Sequence, residues 1–237
     1  MLYVRKFELT CINEAMHYFF LLRNYNTAEG QNLFNTCVTD LAVETKQYEM
    51  ILGRVQRNGI RTKGLVDQFI GSQINGQEIA QLIGDDLVKK GLCEEAIDLY
   101  DLANNQEEVL NILCGMLSRV VHLENEPDSL RTRLQERAIV FAERFSREGY
   151  KTSPNLVNSF LKLKDLLSFF DQYHAKQYPQ SLKTLQDLQI VPLRPEDLDE
   201  RVKNFKNLNA DVCKVMPDIL LATMNMLFAQ YQKIKRK

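Results

Sequence analysis

The sequence predicts an all-α fold, an irregular α-helical solenoid of about ten to eleven stacked antiparallel helices. Three observations carry this expectation. Apolar residues recur at spacings of three and four along nearly the whole chain, and no stretch alternates convincingly as a strand would. Residues 77–113 hold three helical patterns in succession with almost nothing between them. The middle one carries Ala96, Tyr100 and Ala103 in the arrangement A-x-x-x-Y-x-x-A. Small residues at such spacing let backbones approach and leave room for a ring, so these three residues form the expected helix seam.

Composition sets the class. Of 237 residues, 45% are hydrophobic and 26% charged, which describes a chain able to fold around a core. A net charge of −1 gives no electrostatic case for a nucleic-acid partner. The five cysteines, Cys11, Cys37, Cys93, Cys114 and Cys213, form no C-x-x-C pair, and most fall in helical patterns where a thiol acts as a small apolar group. The longest apolar run, residues 18–22, is too short to span a bilayer, so no direct membrane insertion is expected.

The elements follow in order. Residues 2–7 have helical character without a preceding cap, and Tyr3 and Phe7 share a face with nothing upstream to cover it. We therefore expect the chain to be part of a longer protein, with Leu2, Tyr3 and Phe7 as a candidate assembly surface. Thr10 is placed to cap a helix reaching about Arg23, and Asn26 with Glu29 resembles a capping box for a helix ending near Thr45. Five glycines punctuate residues 53–76, which read as a loop region with one helical turn at most. Arg54, Arg57, Arg61 and Lys63 make that region locally basic, but no aromatic residues are interleaved for stacking on bases.

In residues 77–113, Ile79, Ile83 and Leu87 form one stripe and Gly91 ends the helix in a left-handed turn. Leu92, Ala96, Leu99 and Ala103 mark the next helix, and Val109, Leu113, Leu117 and Val120 the third. Ser129 caps a helix with Leu130, Leu134, Ala138, Phe141 and Phe145 on one side. Ser153 and Pro154 start another, which carries two apolar stripes and so needs neighbours on two sides. Pro179 and Pro195 open two further helices, and the last helix, the most apolar, either starts or kinks at Pro217.

Motifs for chemistry are missing. His17, His122 and His174 are in no H-E-x-x-H, and there is no phosphate-cradling glycine loop or nucleophile elbow. Asp85 and Asp86 are followed a turn later by Lys89 and Lys90 rather than by carboxylates. The sequence thus gives no catalytic, metal or cofactor site, and the chain is expected to act by contact rather than as an enzyme. A tetratricopeptide-like adaptor is the alternative. Its period of about 34 residues does not recur, because one period from Ala96 lie Thr62 and Leu130.

Several segments together resemble one family. MLYVRKFE, GLCEEAIDLYDLANN, LLSFFDQYH, IVPLRPEDLDERV and LLATMNMLFAQYQK, in that order along the whole chain, are similar to the C-terminal part of the inner-ring scaffold nucleoporins of the nuclear pore complex. This family comprises the ninety-three-kilodalton animal nucleoporin and its fungal counterparts. The resemblance implies that residues 1–237 are the C-terminal portion of a larger α-solenoid at the nuclear envelope, supporting pore assembly and nucleocytoplasmic transport. It implies other pore scaffold proteins as partners, with a short segment of a small membrane-associated nucleoporin among them, and no cofactor. The family's coiled-coil and linker segments have no counterpart here.

Overall fold

Several helix starts in this chain are set by side chains that satisfy backbone amides locally: Asn32, Asn75, Asn105, Ser129, Ser153 and Asn209 each accept from an amide of the helix they precede. The computed structural model describes residues 11–71, 74–205 and 208–235, and eleven α-helices are present among the described residues. Leu2, Tyr3, Phe7 and Thr10 lie outside them. Two units divide the chain, Met1–Val109 and Leu110–Lys237.

The first unit opens with α1 (Ile12–Phe20) and α2 (Leu33–Thr45). The cap of α2 is Asn32 rather than Asn26: its side chain accepts from the amides of Phe34 and Asn35 and donates to the Arg23 carbonyl at 2.7 Å. The expected helix start at Asn26 is thus corrected, because that residue pairs with Asn32 across a loop closed by Thr27 and Gln31. Phe20, Phe34 and Phe69 cluster with ring centroids 5.3–6.2 Å apart.

After α3 (Tyr48–Leu52) the glycine-dense segment is more ordered than the sequence suggests. β1 (Gly53–Val55) pairs antiparallel with β2 (Arg61–Lys63), in the register Gly53↔Lys63, Arg54↔Thr62 and Val55↔Arg61. The expectation of no strand is overturned here. Gly53 and Gly64 explain it, since a side chain on Gly53 would overlap the backbone of Thr62 and one on Gly64 the backbone of Ile51, Leu52 and Gly53. A short 3-10 turn, Leu65–Gln68, supplies the expected helical turn, and its Asp67 holds Arg61 at 2.9 Å and the Gly64 amide at 2.7 Å.

α4 (Gly76–Lys89) and α5 (Cys93–Leu102) make a tight hairpin. The Leu92 amide donates to the Leu87 carbonyl at 2.9 Å and the Gly91 amide to the Val88 carbonyl at 3.0 Å, with Gly91 at φ +78°. This double closure satisfies carbonyls that the helix end leaves bare. The same pair of bonds ends α5, with Asn104 left-handed, and ends α8 (Pro154–His174), with Lys176 left-handed. The unit boundary falls within α6 (Gln106–Val120).

The second unit is built on α8. Pro154 is its first residue and the Ser153 side chain accepts from the Leu156 amide, as the sequence indicates. α8 packs against α7 (Leu130–Glu148), α9 (Tyr178–Leu188) and α11 (Ala210–Lys235), and its two stripes are both buried. α10 (Leu198–Phe205) follows a 3-10 turn at Pro195–Asp197 and has no buried residue. Of the two expectations for Pro217, a helix start is overturned: α11 begins at Ala210, with the Asn209 side chain accepting from the Asp211 amide, and the proline lies inside it.

Left-handed turn positions give a direct test. A Cβ at Gly91 would meet nothing within 4 Å, so Gly91→Ala carries only the conformational cost of about 1–2 kcal/mol. Lys176→Gly should go the other way, gaining up to about 1 kcal/mol. Thermal or urea unfolding of both variants against the parent checks the opposite signs.

Candidate interaction surface

The α4–α5 crossing shows how this chain brings helices together. Ala96 is fully buried, and Tyr100 is buried with its ring lying over Gly84, where a Cβ would stand 3.1–3.3 Å from three ring carbons. The Tyr100 hydroxyl donates to Asp85 Oδ1 at 2.6 Å. Burial first, then that hydrogen bond and the carboxylate's charge, hold the phenol proton well above the usual tyrosine range. Ala103 is half-buried at the C-cap of α5, and Gly84 is the residue over which the ring lies. A glycine inside an otherwise regular helical pattern was the available signal for it.

In the second unit the notable polar group is Arg131, only 1% exposed. Its guanidinium donates to Asp171 Oδ1 at 2.6 Å, the Leu167 carbonyl at 3.2 Å, the Val121 carbonyl at 3.4 Å and Gln135 Oε1 at 3.1 Å. Gln135 in turn donates to Asp171 Oδ2 at 3.0 Å. Four of its five N–H donors are used in this way, and the buried cation ties α7 to α8. Leu130, expected on the buried side of α7, is only half-buried.

Side chains suited to chemistry do not converge. Among the described residues no three His, Cys, Asp or Glu side chains group to hold a metal ion. All five cysteines are free, and burial pushes the Cys114 thiol up to about 12, where it is unreactive. Of the basic loop residues, Arg61 is held by Asp67 and Arg54 lies 3.7 Å from Glu49.

The surface offers apolar faces instead. α11 buries Val212, Val215, Ile219, Ala222 and Met226 on one side. On the other it exposes Leu220, Met224, Leu227, Tyr231 and Ile234, flanked by Leu221 and Phe228, each between 44% and 74% accessible. Leu198, Val202 and Phe205 form a second exposed stripe on α10. By length and composition α11 is also the one helix among the described residues that could cross a membrane.

A sequence profile of the Nup93/Nic96 family matches residues 1–237. The chain belongs to that family. It is 39% identical over 235 residues to Nuclear pore complex protein Nup93 of Danio rerio, a match covering 99% of this chain and 28% of that protein. It is 21% identical over 242 residues to Nucleoporin NIC96 of Saccharomyces cerevisiae, covering 95% of this chain and 29% of that protein. The chain therefore spans less than a third of the length of these curated relatives. The crystal structure of Chaetomium thermophilum Nic96 SOL superposes with a TM-score of 0.79 at 19% identity, covering 99% of this chain and 39% of that one. At that identity the likeness is one of fold, and it places the helical stack in the solenoid class of the Nup93/Nic96 proteins.

Two variants test the crossing. Ala96→Leu should overpack it and cost about 1–3 kcal/mol. Tyr100→Phe should cost about 1 kcal/mol at neutral pH. The folded state favours the neutral phenol, so the hydroxyl's contribution is complete below the ordinary tyrosine value of 10.0 and is lost as pH rises above it. The stability difference between parent and Tyr100→Phe should therefore shrink in alkaline urea titrations.

Proposed function

We propose that this chain is a structural part of the nuclear pore scaffold, the C-terminal portion of a larger solenoid in the inner ring at the nuclear envelope. The family profile's match to every residue of the chain carries this reading. The geometry supports it, because the chain's polar interior groups are used in packing and its outer helices present apolar faces. On this reading the chain acts through protein contacts that support pore assembly and nucleocytoplasmic transport, with no catalytic step. Its partners are other pore scaffold proteins, a short segment of a small membrane-associated nucleoporin among them. α11 serves the protein core rather than a bilayer, since Val215, Ile219 and Met226 are fully buried on the side packed against α8.

Isolation of a tagged chain from nuclear-envelope extract tests this reading. Pore scaffold proteins should be enriched and the tag should mark the nuclear rim. Recovery of many unrelated clients without pore proteins would contradict it and favour an adaptor.

A further inference from the structure

The outer face of α11 repeats the three-and-four spacing by which Val212, Val215, Ile219, Ala222 and Met226 line its inner face. Leu220, Met224, Leu227, Tyr231 and Ile234 follow one another at four, three, four and three residues. That is the heptad spacing by which two helices interdigitate along a seam. The inner residues are already committed to α8, so this seam is a separate, open contact face. None of residues 219–232 is charged. Beyond Met226 no described residue of α11 is buried, and Ala229, Gln230 and Gln232 are half-buried, so its last turns are only partly covered.

We propose that this face pairs with the same face of a second copy of the chain, the two α11 helices running antiparallel about a two-fold axis near Leu227. Three observations favour a copy of itself. The seam is centred on Leu227, with Leu220 and Ile234 each seven residues away, so a two-fold contact sets Leu220 of each copy against Ile234 of the other. The area is sufficient: an aromatic side chain alone buries roughly 150–250 Å². Two aromatic and five aliphatic side chains, each about half or more exposed, thus approach the roughly 800 Å² per partner of a stable interface. The charges set the direction. Asp218 precedes the uncharged stretch and Lys233 and Lys235 follow it, so an antiparallel pair brings each lysine end toward the other copy's aspartate end. A parallel pair would set lysine against lysine.

Sedimentation of the full chain across a concentration series should show mass rising to that of a dimer. Met224→Glu with Tyr231→Glu changes two exposed residues. It should weaken dimerisation at least ten-fold while leaving the circular dichroism and melting of the monomer as in the parent. Cysteine cross-linking fixes the geometry independently of folding effects. Leu227→Cys should form a disulfide-linked dimer under mild oxidation. Ile234→Cys should not, because antiparallel helices place the two copies about 20 Å apart at 1.5 Å per residue. A parent that stays monomeric, a glutamate variant that dimerises equally, or cross-linking at Ile234→Cys as strong as at Leu227→Cys each overturns the proposal. Binding of the monomeric parent to phosphatidylcholine–phosphatidylserine vesicles, lost in the glutamate variant, would overturn it in favour of a membrane face.

Discussion

A helix with apolar side chains on two faces cannot be satisfied by one neighbour, and α8 imposes this condition on the whole second unit. Leu156, Phe160, Leu163 and Leu167 run along one stripe while Leu166 and Phe169 run along another, and all are buried. α7, α9 and α11 are the elements that cover it. Arg131 adds direction to what would otherwise be a non-directional apolar contact. Its donors reach a carbonyl and a carboxylate of α8 and the carbonyl of Val121, so α7 has one register in which that buried charge is satisfied. Any slip along the helix leaves a guanidinium buried without partners, which costs several kcal/mol. The Ser181 hydroxyl ties α9 to the Phe169 carbonyl at 3.2 Å in the same way, on a smaller scale.

Much of this was written locally in the chain. Ser129 and Ser153 announce the starts of α7 and α8, because a side-chain oxygen before an apolar periodic run has an obvious amide to accept from. Gly91 announces the end of α4 for the converse reason. What escaped the sequence depends on partners far along the chain. Arg131 looks like an exposed charge until Asp171, forty residues away, is brought beside it. Gly84 looks like a weakness in a helix until the Tyr100 ring occupies the space. The β-hairpin was hidden because three-residue strands are too short for alternation to show, and its glycines serve close backbone approach rather than looseness. Ala103 fits the periodicity of α5, but it stands half-buried at the C-cap, one residue before the left-handed Asn104.

The same economy explains why the surface matters more than any pocket. The strongest polar pairs inside the two units are Tyr100 with Asp85 and Arg131 with Asp171, each at 2.6 Å. Exposed apolar side chains lie outward, on α10 and on the outer side of α11. A protein whose work is to hold others in place needs faces of this kind, and a helical stack supplies them repeatedly because each added helix has one side to bury and another to present.

Cross-linking mass spectrometry on intact nuclear pore complexes containing this chain tests the central claim, that it works by contact within the pore scaffold. Lys233 and Lys235 report on α11 and Lys203 on α10. The account predicts intermolecular links from these lysines to pore scaffold proteins, other copies of the chain included. Links from them only to proteins outside the pore, or no intermolecular link at all, would contradict it.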